Sequence, residues 1–250
     1  MIEGDLTGGI LTLRLAHGKA SALDLELCHA LQTEIEAAAE SEDVHALIIT
    51  GTASIFSAGV DLPRLVNSGN NYVHDFVEAL EAMLRAIFLF PKPAVAAANG
   101  HAIAGGAILA FACDYRLMSG GRIGVPEALV GVPFPPLAFE VVRFAVPLQH
   151  LQTMIYLAKT IEAPEAKSIG IIDEVVASAD LMRRANEVAR QLAEIPPPAF
   201  RLTKRQMREP FLRNAAAIAS ASAAEVDAEW TSPATHDHIR AYLAKTIGKR

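Results

Sequence analysis

Gly105 and Gly106 stand directly before an uncharged run, Ala107 to Cys113, and just after a break at Asn99-Gly100-His101. A helix that starts at paired glycines presents backbone N–H groups without intrahelical partners, at the positive end of its dipole. Glycine also lets a ligand approach that backbone closely. Such a helix start can hold an anionic oxygen. A glycine pair serves equally well as a packing contact between helix and strand, and the spacing alone does not choose between the two. Other chemistry-bearing residues are sparser. His17, His29, His45, His74 and His150 sit singly, and His101 reads as a turn histidine. His236 and His238 fall on a terminal helix without nearby Cys or spaced carboxylates, so no metal site is expected. Cys28 and Cys113 lie in apolar surroundings and read as free thiols of a reducing compartment.

The elements that must position these groups can be read from periodicity. Gly9 to Leu15 alternates and predicts a strand with Leu11, Leu13 and Leu15 on one buried face. Ser21 with Asp24 reads as a capping box for a helix carrying Leu27, Leu31, Ile35 and Ala38. Ala46 to Thr50 is a buried strand, followed by a small-residue loop, Ser54 to Leu62. Asn67 to Asn71 reads as a polar linker and mobile flap. Tyr72, Phe76, Leu80, Met83, Ile87 and Phe90 recur at helical spacing up to Pro91. Ala94 to Ala98, Tyr115 to Met118, Arg122 to Val125 and Ile172 to Val176 are short strands. A helix containing Val141, Val142 and Phe144 follows Phe134-Pro135-Pro136. Strands and helices alternate to about residue 176, loosely as strand, strand, helix, which predicts an α/β architecture. Ser178-Ala179-Asp180 caps a helix to about Ile195. After Pro196-Pro197-Pro198 three helices are expected: Ala199 to Arg208, Arg213 to Trp230, and Ala234 to Ile247. That tail is too thinly apolar for a core of its own and must pack on the body or on a neighbouring subunit.

Composition narrows the class. The chain has 250 residues, 52% of them hydrophobic and 20% charged, enough for one large domain or a domain with an appendage. The apolar surplus suggests burial against other subunits. A net charge of −6 argues against nucleic acid as the main partner. The N-terminus MIEGDLTGG shows neither a basic region nor an apolar core, so no signal peptide is read and a cytoplasmic location is expected. The stretch from Lys92 to Asp114 carries no formal charge between its ends, but Asn99, Gly100 and His101 make it a poor membrane span.

Three motifs resemble the crotonase superfamily, the enoyl-CoA hydratase/isomerase fold. One is Ile48-Ile49-Thr50-Gly51 followed by Phe56-Ser57-Ala58-Gly59-Val60-Asp61-Leu62. The second joins Lys92-Pro93, Ala98-Asn99-Gly100, Ala104-Gly105-Gly106 and Cys113-Asp114-Tyr115-Arg116. The third is Gly124-Val125-Pro126-Glu127 with Gly131 following. Their order and spacing hold across roughly residues 10 to 180. The resemblance implies an α/β, crotonase-like ββα spiral core at 1–195 that binds acyl-CoA. It also implies a helical region at 196–250 for trimerisation and active-site cover, with a homotrimer or hexamer as the assembly. No separate cofactor, metal, nucleic acid or membrane is implied; coenzyme A belongs to the substrate.

By position, the resemblance assigns the thioester oxygen to the N–H groups of Ala58 and Gly105. Two fixed donors stabilise the negative charge of an enolate. Coenzyme A would run along Ser57, Gly59, Val60, Asp61 and Leu62, with Ala20 and Ala22 lining the cleft, and Asp61 fixing its loop. Hydratases of the family hold a water between two glutamates. Here one of those positions is Ile108 and the other is Glu127. A single carboxylate suits a proton shuttle from the α to the γ carbon, the 3,2-enoyl-CoA isomerase reaction. The apolar wall of Ile108, Phe134 and Leu137 would exclude water, and Ala104 to Leu109 with Phe134 resembles the isomerase branch. Alternatives are a hydratase in which another group replaces the missing glutamate, and a thioesterase, decarboxylase or C–C bond-forming enzyme of the same fold. A non-enzymatic RNA-binding homologue is a further one, against which the acidic charge speaks. Glu140 is read as a solvated helix position within reach of the acyl pocket. Lys204, Arg205 and Arg208 form a basic face, either solvated or meeting coenzyme A phosphates.

Overall fold

The computed structural model describes residues 1–247, so 248–250 of the expected 196–250 unit lie outside the described residues. The chain opens with an antiparallel hairpin, β1 (Ile2–Thr7) and β2 (Ile10–Leu15). Gly8 and Gly9 form its two-residue turn at φ of +59° and +80°, which side chains resist. Strand β1 is exposed along most of its length and held by pairing with β2. In β2, Leu13 and Leu15 enter the main core, while Ile10 is buried in a second one.

Helix α1 (Leu25–Glu40) starts at Asp24, whose carboxylate accepts the Leu27 N–H at 2.8 Å. Ser21 is not the cap expected of it. It sits at φ +44°, and its hydroxyl donates back to the Leu15 carbonyl at 3.0 Å. Next come β3 (Ala46–Thr50), β4 (Ile55–Ser57), α2 (Leu62–Asn67) and α3 (Asn70–Phe88). The flap expected at Asn67–Asn71 is a tight joint instead: Ser68 and Gly69 alone separate the two helices, with Gly69 at φ +83°. Then follow β5 (Ala94–Ala98), β6 (His101–Ile103), α4 (Gly105–Phe111), β7 (Tyr115–Met118), β8 (Arg122–Gly124) and α5 (Glu127–Val130). Helices α6 (Pro136–Ala145) and α7 (Leu148–Tyr156) precede β9 (Thr160–Glu162), α8 (Ala163–Ser168) and β10 (Glu174–Val175). The expected strand at Ile172–Val176 shrinks to these last two residues, because Ile171 and Ile172 turn into the core. A 3₁₀ turn at Ser178–Asp180 leads into α9 (Leu181–Ala193).

The strand–strand–helix unit builds two sheets at once. In each of the pairs β3/β4, β5/β6 and β7/β8, the first strand joins a six-stranded sheet ordered β1-β2-β3-β5-β7-β10. The second joins a four-stranded sheet ordered β4-β6-β8-β9. The chain thus winds as a spiral, with parallel pairing between successive turns. Strands β3 and β5 are buried at all five positions each, as parallel strands covered on both faces must be. Leu47 and Ile49 face the main core with α1 and α3; Ile48, Val95 and Ala97 face Leu181, Ala185 and Val188 of α9.

The C-terminal part is α10 (Pro197–Thr231) and α11 (Pro233–Ile247). The two helices expected at 199–208 and 213–230 are one, running through Pro210. A proline removes one backbone donor from a helix interior. Packing on either side outweighs that loss: Arg208 is buried two residues before Pro210, and Phe211, Leu212 and Ala215 join the main core after it. The anchor is ionic as well as apolar. Asp114 receives Lys204 Nζ and Arg208 Nη2, each at 2.7 Å, and also accepts the Ala94 N–H at 2.8 Å. Arg208 donates further to the carbonyls of Phe88 and Ala112. Lys204 and Arg208 therefore form neither a solvated face nor a contact for coenzyme A. Burial lowers the Lys204 pKa to about 8, against the pull of Asp114. Among the described residues no helix is long and apolar enough to cross a membrane.

Candidate active site

The loop after β4 is held by the segment Ala20–Leu23. The Leu23 N–H donates to Gly59 O at 2.8 Å, and the Asp61 N–H to Leu23 O at 2.9 Å. The Ala58 N–H donates to Ala20 O at 3.0 Å. Ala58 thus has no free N–H to offer a ligand, contrary to the assignment by motif position. The next outward-facing amide on this loop is that of Val60. Among the described residues, neither the Val60 N–H nor the Gly105 N–H has a protein acceptor. The two lie together: a Cβ built on Gly59 would stand 3.0 Å from the Gly105 nitrogen, and one built on Gly105 3.9 Å from Val60 Cγ2. Gly59 itself has φ +80°, so the close approach and the turn both require it.

The glycine pair of α4 divides the two roles left open for it. A Cβ on Gly106 would collide with the Ser57 carbonyl, so Gly106 is a packing joint. Gly105 is the free donor. Ala104, just before it, holds φ +53° and ψ −128°, a strained conformation for a residue with a side chain. That turn aims the Gly105 amide at the cavity, and the Ala104 N–H is secured on Gly124 O at 2.9 Å.

Val60, Gly105, Ile108, Glu127, Phe134 and Trp230 are on the wall of a cavity of ≈ 140 Å³, with Ala58 and Leu62 near its loop side. A larger hollow of ≈ 530 Å³ lies between Ser41, Pro93 and Phe200, but neither free amide nor Glu127 reaches it. Glu127 is the first residue of α5, set by Pro126. It is 8% exposed, and among the described residues its Oε2 has no hydrogen-bond partner. Burial without a partner raises its pKa to about 8, only partly offset by its own backbone N–H. Among the described residues no other carboxylate lines this cavity, and Ile108 presents a hydrocarbon wall.

Other expected contacts fall elsewhere. Ser57 is fully buried; its hydroxyl donates to Ser21 O at 2.7 Å and accepts the Gly59 N–H at 3.2 Å, so it shapes the loop and cannot touch a ligand. Asp61 caps α2 by accepting the Arg64 N–H at 3.0 Å, the loop-fixing role expected of it. Ala20 and Ala22 stay partly exposed beside the loop, outside the cavity. Glu140 is not solvated and does not reach the cavity: it is fully buried beside Arg143 and Asn214. Among the described residues no cluster able to hold a metal ion occurs.

The structure adds wall residues that the sequence reading had not assigned to the site. Leu80 of α3, Ala138 of α6, Trp230 of α10 and Tyr242 of α11 all face the cavity. Helix α11 is tied across it by hydrogen bonds from the His238 ring to Leu129 O at 3.0 Å and from Arg240 to Val66 O at 2.9 Å. The C-terminal helices therefore contribute Trp230 and Tyr242 to the wall of this cavity in their own chain. The sole tryptophan, placed in an otherwise Ala-rich helix, was the available signal.

A profile of the family described as enoyl-CoA hydratase/isomerase matches residues 5–246. The fold superposes on human mitochondrial delta3-delta2-enoyl-CoA isomerase with a TM-score of 0.93 at 22% identity, covering 100% of this chain and 98% of that one. An apo enoyl-CoA isomerase of Mycobacterium tuberculosis gives a TM-score of 0.80 at 31% identity, over 90% of this chain and 98% of that one. A Thermus thermophilus relative whose name reads enoyl-CoA hydratase is 34% identical; the match spans 64% of this chain and 65% of that relative's length. The names of these relatives thus fall on both sides of the isomerase–hydratase division.

Proposed function

The chain belongs to the enoyl-CoA hydratase/isomerase family, and within it we propose that this protein shifts the double bond of a 3-enoyl-CoA thioester to the 2-position. The observation that carries this reading is one carboxylate, Glu127, sharing a largely apolar cavity with an isoleucine, Ile108. Ionised Glu127 removes a proton from the carbon α to the thioester. The electron pair moves onto the thioester oxygen and gives a dienolate. The N–H groups of Val60 and Gly105 receive that oxygen, and their strength is greatest where water is excluded. Glu127 then returns the same proton to the γ carbon. The double bond ends between the α and β carbons, and the enzyme is restored.

Hydration asks for more. A water must be oriented and deprotonated as its oxygen joins the β carbon, a proton must be delivered to the α carbon, and Ile108 can neither accept nor donate one. The scheme uses no group beyond Glu127 and the two amides, so it calls for no separate cofactor; coenzyme A enters as part of the substrate. We propose that the coenzyme A moiety leaves the cavity past Leu62 and the neighbouring Ala20, Ala22 and Asp61. We also propose a trimeric or hexameric assembly, supported by Leu148, Tyr156 and Leu157 being 78%, 75% and 62% exposed.

The test offers 3-enoyl-CoA and 2-enoyl-CoA separately and follows which is consumed. Consumption of the 3-enoyl thioester that disappears in Glu127→Gln supports the isomerase. Fast water addition to the 2-enoyl thioester assigns the chain to the hydratases instead, and release of free coenzyme A to the thioesterases.

A further inference from the structure

We propose that Trp230 is the stop of the acyl channel and restricts this enzyme to short-chain thioesters, of about six carbons or fewer counted from the thioester carbonyl. The inference rests on the acyl-CoA reading above and specifies its substrate class.

The argument begins with volume. The cavity holds ≈ 140 Å³. A protein cavity of about 150 Å³ accommodates one benzene, a six-carbon body. This cavity is bounded by Val60 and Gly105 as well as by Glu127, so the same space must also house the reacting carbons. Within that space little is left for a longer tail.

The wall is also fixed. Trp230 is 2% exposed. Its indole N–H donates to Pro133 O at 2.9 Å, and its own carbonyl is bonded by the His236 ring at 2.9 Å. Behind it stands Phe76, 1% exposed, with ring centroids 6.4 Å apart. A tail pushing past the indole would have to break this partly buried hydrogen bond and displace a second aromatic ring. The side walls are no softer. Glu81 on α3 accepts the Leu137 N–H of α6 at 2.7 Å, where Pro135 and Pro136 leave the helix start without its usual donors. That bond spans the two helices that bring Leu80 and Ala138 to the cavity. Dense packing of this kind responds to an extra methylene by strain and does not simply expand.

Binding of saturated butyryl-, hexanoyl-, octanoyl- and dodecanoyl-CoA, read by titration calorimetry, tests this without requiring turnover. The wild-type chain is expected to bind hexanoyl-CoA at least about tenfold more tightly than dodecanoyl-CoA. Trp230→Ala is expected to raise the ratio of dodecanoyl to butyryl affinity. Trp230→Phe, which keeps an aromatic wall and so guards the fold, should shift the ratio the same way by less. Ala138→Leu, which narrows the cavity with Trp230 in place, should move the cutoff to shorter chains. Equal wild-type affinity for all four thioesters overturns the proposal, as does an unchanged length profile in a folded Trp230→Phe. In those cases acyl-CoA binding still stands. If none of the four binds, the acyl-CoA reading falls together with the stop.

Discussion

Ile108 and Glu127 face one cavity from two helices, α4 and α5, and only Glu127 can exchange a proton. The asymmetry sets both the chemistry proposed and its dependence on pH.

Glu127→Gln keeps the shape of the site and removes the base. Isomerisation is expected to fall by roughly 10²–10⁴-fold, read as kcat with a 3-enoyl-CoA. Full activity in this variant would remove Glu127 from the mechanism.

The raised pKa of Glu127 gives the pH profile a direction. The carboxyl holds its proton up to about 8, and the base is the ionised form. Wild-type kcat/KM should therefore rise with pH and level off above about 8. Stability should move the other way. The folded state binds this proton more tightly than the unfolded state, so the contribution is complete below the unfolded pKa and lost as pH rises through about 8. Glu127→Gln, always neutral, should gain Tm over the wild type as pH increases across that window. A Tm difference that does not change with pH would count against the buried, partnerless carboxyl.

Ile108→Glu restores a second carboxylate opposite Glu127. The variant should add water to a 2-enoyl-CoA at least about tenfold faster than the wild type while losing some stability to the buried charge. A folded variant with no gain in hydration would mean that Ile108 is not what separates the two reactions.

The two loop amides can be distinguished by replacing single peptide bonds with esters. Deleting the Val60 N–H should cost about 10²–10³ in kcat, as loss of one oxyanion donor does elsewhere. Deleting the Ala58 N–H removes its bond to Ala20 O and should appear mainly in Tm. The reverse pattern would return the role to Ala58.

Asp114→Ala would leave Lys204 and Arg208 buried without their carboxylate. Unfolding in urea should show a loss of about 3–5 kcal/mol. Without Asp114 the Lys204 pKa falls further, so the loss should shrink as pH rises toward about 8, where the wild-type amine also sheds its charge. A small and pH-independent loss would show that α10 is held by its apolar contacts alone.

Local order along the chain was enough for much of this protein. Alternating strands and helices give the α/β class, and three spaced motifs give the family, because turn glycines, prolines and apolar runs act over a few residues. The residue types at 108 and 127 already determine that one carboxylate is present where two could stand. Which amide is free was decided only in three dimensions. Ala58 and Val60 are two residues apart in one loop, and it is Ala20, arriving from a distant segment, that occupies the Ala58 N–H and leaves that of Val60 open. The same holds for Trp230 and for Lys204 and Arg208. Their environments come from Pro133, Phe76 and Asp114, partners far along the chain. Hydrogen-bond saturation and burial depend on such partners, which no local pattern encodes, so the end of the cavity and its free donors emerge only from the folded chain.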